Sequence, residues 1–156
     1  MNEHSSLEAE LRLHGKIIYT NVGNSMMPLI KEGRDVLVIE RQEGRLKKYD
    51  IPLYRRASGQ YVLHRIIKVR EDSYDICGDN RAEIEHGVTD GQILGKLVML
   101  IREGRELSLD STRYKLYTHL WCDLFFIRAF IIKLRSYARR ILRGKRKNKN
   151  TPIGKT

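Results

Sequence analysis

Three short stretches of this 156-residue chain hold residue types that together can carry out acyl transfer. The first is Gly23-Asn24-Ser25-Met26-Met27-Pro28. A serine after a tight Gly-Asn turn, at the end of a β-branched run, sets its hydroxyl at an exposed corner. Backbone N–H groups of such a turn can face the oxygen of an attacked carbonyl. Serine is a weak nucleophile until a base takes its proton, so the chain must supply that base elsewhere. The candidate is His64 in Tyr61-Val-Leu-His-Arg-Ile-Ile67, where strand alternation predicts Val62, His64 and Ile66 on one face and Tyr61, Leu63 and Arg65 on the other. A histidine among apolar neighbours is more often a core residue than a base, and His4, His14, His86 and His119 sit in less strand-like or more peripheral contexts. The third stretch is Gly78-Asp79-Asn80, followed by Glu83 and Glu85. An acid beside the base would hold its imidazole in the right tautomer and stabilise the imidazolium. Gly-Asp-Asn is also an ordinary turn. Asp79 and Glu85 both stay open as that acid.

In their order and spacing, Gly-Asn-Ser-Met-Met-Pro, Leu-His-Arg-Ile-Ile and Gly-Asp-Asn resemble the signal peptidase I and LexA-type serine peptidases. Leu53-Tyr-Arg-Arg56 resembles the segment before the base strand, and the likeness covers residues 15–102. It implies a mainly β fold, a folded β-sheet barrel, with Ser25 as nucleophile and the base on the strand that follows. Most bacterial members carry lysine at the base position; His64 before Arg65 is similar to the endoplasmic-reticulum type. A histidine near pKa ~6.5 needs no deep desolvation to act at neutral pH. The bacterial enzymes have a side-chain hydroxyl two residues before the nucleophile, where this chain has Gly23. The oxyanion hole would then rest on backbone groups of Gly23, Asn24 and Ser25. Met26, Met27 and Pro28 are expected at the substrate, an extended peptide or protein segment added as a strand with small residues beside the cut. No cofactor or metal is expected.

These stretches require a scaffold of strands. Ser6–His14 reads as a short N-terminal helix stopped at Gly15. Runs at 16–22, 35–40, 51–55, 61–70, 73–77, 93–101 and 106–109 read as strands, with hairpin loops at Ala57–Gln60 and Glu103–Arg105. At Asp110-Ser-Thr112 the pattern changes. Arg113 to Arg143 holds no Gly or Pro, which predicts one long helix or two shorter ones, and the Lys/Arg/Asn-rich end reads as disordered. The domain reading is therefore a peptidase domain over 1–110 and a basic helical extension over 111–156.

Net charge is +11, yet residues 1–110 hold 17 Lys+Arg against 18 Asp+Glu, while residues 111–156 hold 13 against 1. This split excludes a uniformly basic nucleic-acid-binding domain. Lys145–Lys149 can attract nucleic acid without reading bases, so no specific nucleic-acid partner is expected. Within the extension, Leu116–Ile132 is interrupted by Asp123 and Arg128 and falls short of the ~20 apolar residues of a membrane span. Trp121, Phe125, Phe126 and Phe130, with Arg139 and Arg140 behind them, fit an interfacial helix on an anionic membrane surface. The competing readings are packing on the β domain and a homodimer through this helix. Two cysteines, Cys77 and Cys122, make neither a disulfide framework nor a four-cysteine zinc site, and read as reduced thiols. The first ten residues carry no basic-then-apolar secretory pattern. The expectation is a cytoplasmic protein, peripheral on the inner membrane face and not secreted. The functional expectation is a serine endopeptidase acting through an acyl-enzyme. Its alternatives are an inactive peptide- or partner-binding relative and a membrane- or RNA-associated adaptor.

Overall fold

A computed structural model describes residues 3–20, 22–124, 127, 129–134 and 137. Its architecture is mainly β, built around a curled half-barrel sheet with a short helix before it and helical residues after it. Helix α1 (Glu3–His14) ends at Gly15, whose N–H closes on the Leu11 carbonyl at 3.1 Å. Among the described residues nine strands follow: β1 (Lys16–Thr20), β2 (Asp35–Arg41), β3 (Pro52–Arg55), β4 (Tyr61–Leu63), β5 (Arg65–Val69), β6 (Tyr74–Cys77), β7 (Glu85–Val88), β8 (Ile93–Arg102) and β9 (Arg105–Leu107). Helix α2 (Thr112–Asp123) is capped by Ser111, whose hydroxyl accepts from Tyr114 N–H at 3.3 Å.

The larger sheet runs β1-β2-β8-β3-β4, with β9 on β8, and every pairing in it is antiparallel. The smaller sheet is β5-β6-β7. Each covers its own apolar core. Leu11, Ile17, Met26, Ile30, Leu37, Leu53, Leu63 and Leu100 belong to one; Leu46, Tyr54, Ile66, Tyr74, Ile76 and Val88 belong to the other.

The expected single strand over 61–70 is two strands. Leu63 pairs with Leu53 in the larger sheet, and Arg65 pairs with Cys77 in the smaller one. His64 is the residue at which the chain crosses between them. A segment that crosses between two sheets is covered on both sides, so alternation fails here: Leu63, His64, Arg65 and Ile66 are all buried. The segment before β8 also holds a strand, β7, that was expected only as a polar stretch. Of Glu85-His86-Gly87-Val88, only Val88 is a buried apolar residue, too little to produce a strand pattern.

Beyond α2, helical residues recur at 127, 129–134 and 137. No helix among the described residues is long and apolar enough to cross a membrane. Both cysteines are buried and unbridged. The expected disordered end, and Phe125, Phe126, Arg139 and Arg140, lie outside the described residues.

Candidate active site

The Ser25 loop follows from its own sequence. Gly23 takes a left-handed φ of 92°, which turns the chain sharply after β1. Met27 N–H then closes on the Asn24 carbonyl at 3.2 Å and Ile30 N–H on the Met26 carbonyl at 2.9 Å. Met26 is fully buried in the larger core and anchors the turn from below. It therefore corrects the expectation that Met26 touches substrate. Met27 and Pro28 do not line the Ser25 cleft either. They form one wall of a separate apolar groove of about 720 Å³, opposite Tyr117, Leu120, Trp121 and Leu124 of α2 and its end.

Gly78 explains how Ser25 and His64 come together. A Cβ at Gly78 would lie 2.7 Å from the Ser25 carbonyl oxygen and 3.0 Å from His64 Nε2. Those two atoms are thus no farther apart than the sum of these distances, and only a glycine fits between them. The next residues extend the clasp. Asn80 N–H donates to the Ser25 carbonyl at 2.7 Å, and Asn80 Nδ2 donates to the Asn24 carbonyl at 3.1 Å. Ser25 Oγ itself has no hydrogen-bond partner among the described residues.

The far side of the His64 ring faces an acid. His64 Nδ1 is 3.3 Å from Glu85 Oε1 and 3.4 Å from the Tyr54 hydroxyl. Arg56 holds that carboxylate in a two-pronged pair, with Nε to Oε2 at 2.8 Å and Nη2 on Oε1. Burial lowers the His64 pKa to about 4, opposed by the attraction of Glu85 and reinforced by the nearby Arg56 charge. Burial also acts to raise the Glu85 pKa, but its bonds to Arg56 and Tyr54 prevail and hold the carboxyl below its usual range. The Tyr54 phenol is pushed up, first by burial and then by the Glu85 charge.

Asp79, the other acid left open by the sequence, is engaged elsewhere. Arg65 Nε and Nη2 donate to its two oxygens at 2.9 and 2.8 Å, and the Tyr117 hydroxyl adds a bond at 3.0 Å. Arg65 and Asp79 are both fully buried. The structure therefore sets Glu85 beside His64 and gives Asp79 to Arg65.

Ser25, His64 and Glu85 share the wall of one cleft of about 720 Å³ with Gly23, Asn24, Tyr19 and Tyr61. Arg56, Arg81, Glu32 and Glu83 also line it, which makes it strongly polar. It lies between β1 and β4, the two ends of the strand order in the larger sheet. Among the described residues, no group of three or more His, Cys, Asp or Glu side chains is arranged to hold a metal ion.

Trp121 was expected at a membrane surface, with packing on the β domain as the competing reading. Its ring stacks on Tyr117 and its Nε1–H donates to the Asp79 carbonyl at 2.7 Å, while it also lines the apolar groove beside Met27 and Pro28. Tyr54 and Arg56, within the Leu53–Arg56 segment of the resemblance, are given no site role by the sequence. Strand register signals the first, because Tyr54 pairs with Val62, two residues before His64 on the same predicted face. Nothing local marks Arg56, whose partner Glu85 is 29 residues away.

No protein-family model matches this chain, and no curated protein matches it.

Proposed function

We propose that this chain is a serine endopeptidase of the signal-peptidase-like kind, with Ser25 as nucleophile, His64 as general base and Glu85 as the acid that orients His64. The observation that carries this reading is the two-sided setting of His64. Its Nδ1 faces Glu85, and its Nε2 lies against Gly78 in the same crevice as the Ser25 carbonyl. With Nδ1–H donated to Glu85, Nε2 keeps its lone pair for the serine proton. Because burial holds the ring neutral down to about pH 4, all of it is free base at pH 7. A proton arriving on Nε2 makes an imidazolium, which the Glu85 carboxylate stabilises at close range.

The step order follows from that setting. Ser25 Oγ attacks the peptide carbonyl while His64 takes its proton. Backbone N–H groups of the Gly23-Asn24-Ser25 turn receive the developing oxyanion. His64 then protonates the departing amine, leaving an acyl-enzyme at Ser25. Water, deprotonated by His64, releases the acid product and restores the serine. The substrate lies extended in the cleft, where the edges of β1 and β4 offer main-chain pairing to an added strand.

A fluorophosphonate probe tests this directly, since it reacts only with an activated serine. Labelling of the wild type, but of neither Ser25→Ala nor His64→Ala, is the expected result. No labelling anywhere between pH 6 and 9 would overturn it. Peptide binding without labelling would instead favour an inactive peptide-binding relative, a reading motivated by Ser25 Oγ having no hydrogen-bond partner among the described residues.

Its location, in this reading, is an anionic membrane surface on the inner face. Leu116, Leu120, Leu124, Ile127, Ile131 and Leu134 recur at spacings of three and four residues and are all exposed, and the sequence behind them is strongly basic. The full chain should float with vesicles containing phosphatidylglycerol, not with neutral ones, and should release in high salt. Flotation with neither vesicle would reject the membrane, and equal flotation with both would reject its anionic selectivity; in the first case a dimer in sedimentation would assign this face to a second copy.

A further inference from the structure

Helix α2 belongs to the extension that the sequence separates from the chemistry, yet its inward side meets the Gly78-Asp79-Asn80 turn at two points and the Arg65 that pairs with it at a third. The Tyr114 hydroxyl accepts from Arg65 Nη1 at 2.8 Å, and the Tyr117 hydroxyl donates to Asp79 Oδ2 at 3.0 Å. Trp121 Nε1–H donates to the Asp79 carbonyl oxygen at 2.7 Å. The rings of Tyr117 and Trp121 stack, 5.7 Å between centroids and 18° from parallel, so the two donors are held as one unit.

The Trp121 contact has a consequence fixed by covalent geometry. The carbonyl of Asp79 and the N–H of Asn80 belong to one planar, trans peptide group. Trp121 holds one end of that plane, and the other end donates to the Ser25 carbonyl at 2.7 Å. Rotation that breaks the first bond also swings the second donor away. The Asn80 side chain hangs from the same backbone and holds the Asn24 carbonyl. Gly78, one residue upstream, is the spacer between the Ser25 carbonyl and His64 Nε2.

We propose that Trp121, with Tyr117 stacked on it, is a positioning residue for the Ser25–His64 pair, acting through the plane of the Asp79–Asn80 peptide. Its effect on rate rests on the peptidase reading given above; its effect on the Ser25 loop does not. Trp121 does not line the Ser25–His64 cleft. What it sets is the angle at which the nucleophile loop is clasped, and a displacement of even 1 Å at a reacting centre costs on the order of 100-fold in rate.

The test compares the wild type with Trp121→Phe, which keeps an aromatic ring against Tyr117 but removes the N–H together with part of the indole. Two readouts are taken on the full chain, at a temperature where both proteins are fully folded. One is amide exchange at Asn80, with the β2 and β8 amides as internal controls. The other is the saturating rate of fluorophosphonate labelling, separated from probe affinity. The expected result is faster exchange confined to Asn80 and its neighbours, with the saturating rate down about tenfold or more and probe affinity little changed. A purely structural Trp121 would lower the melting temperature and leave both readouts at wild-type values, and that outcome overturns the proposal. So does faster Asn80 exchange with an unchanged labelling rate. A wild type that never labels refutes the peptidase reading, and the Asn80 exchange then decides the clasp by itself. If Trp121→Phe does not fold, Tyr117→Phe, which removes only a hydroxyl, is read by the same criteria.

Discussion

Glu85 Oε1 sits 3.3 Å from His64 Nδ1, although Glu85 opens β7 in the smaller sheet and His64 lies at the crossing between the two sheets. Folding β7 back along β6 closes this distance, since Ile76 pairs with Glu85 and Cys77 pairs with Arg65, the residue after His64. Two consecutive residues of β6, Ile76 and Cys77, therefore hold Glu85 on one side and Arg65, the neighbour of His64, on the other. This register is what turns a carboxylate 21 positions along the chain into a neighbour of the imidazole.

Replacing that carboxylate should be costly to reaction and mild to folding. In Glu85→Gln, Nδ1 no longer donates to a fixed anion, and the tautomer with its lone pair at Nε2 loses its preference. The labelling rate should fall by roughly 10²–10⁴-fold. Because the Glu85 charge pulls the His64 pKa upward, its removal should also drop that pKa below about 4, which imidazole NMR would read. An unchanged rate would remove Glu85 from the mechanism.

Gly78 makes a separate demand. A methyl group there would overlap backbone at Ser25 and ring at His64 simultaneously, at 2.7 and 3.0 Å. Neither can give independently, because one is main chain and the other is buried. Gly78→Ala should destabilise by about 1–3 kcal/mol, the usual range for overpacking. It should also lower probe labelling further than this loss of stability explains. Urea melts and labelling on one preparation separate the two effects.

That Ser25, His64 and the Gly-Asp-Asn turn lie together was legible only from the joint order of the three stretches, because a serine after a turn, a histidine among apolar residues and a Gly-Asp-Asn turn are each common by themselves. The choice between Asp79 and Glu85 had no local signature. It depends on whether the chain after Asn80 folds back along β6, and Glu85-His86-Gly87-Val88 has too little apolar content to announce a strand. The crossing at His64 was hidden for a related reason. Period-two alternation describes one sheet, and it carries no sign that a run passes into another. In α2 the stripe of leucines is visible in the sequence, but its direction inverts the ordinary rule. The inward side carries Tyr114, Tyr117, Thr118, Trp121 and Cys122, and the outward side carries Leu116, Leu120 and Leu124. The partner beneath the helix is a buried Arg65–Asp79 pair that needs donors and acceptors, so the polar aromatic face packs and the apolar one is left exposed.

The pH dependence follows from His64 with a definite sign. An unfolded histidine takes up its proton near pH ~6.5, whereas the buried ring does so only at about 4. Above 6.5 neither state binds the proton, and the contribution to stability is fully present. As pH falls from 6.5 toward 4 the unfolded chain alone binds it, and about 3 kcal/mol of stability drains away. The difference in unfolding free energy between wild type and His64→Gln should therefore shift against the wild type across that window and stay flat above it. For the same reason, the acid limb of the labelling rate should fall near pH 4, well below that of an exposed histidine. A limb near 6.5 would show that the ring is not desolvated.

The two acids can be told apart by which property each one moves. Arg65 and Asp79 are both out of contact with water and joined by two bonds, so removing either partner strands a buried charge. Asp79→Asn and Arg65→Met should each cost about 3–5 kcal/mol, and the double variant Arg65→Met/Asp79→Leu should recover much of the loss, because an apolar pair leaves no uncompensated charge. Glu85 is partly open to solvent, so its loss is felt less in the urea midpoint. The imidazole titration reverses the order: Glu85→Gln should shift His64, and Asp79→Asn, read in whatever fraction stays folded at low temperature, should leave it close to the wild-type value. If Asp79→Asn moved His64 as far as Glu85→Gln does, the carboxylate beside Arg65 would be the one that orients the base, and the assignment of Glu85 would fall.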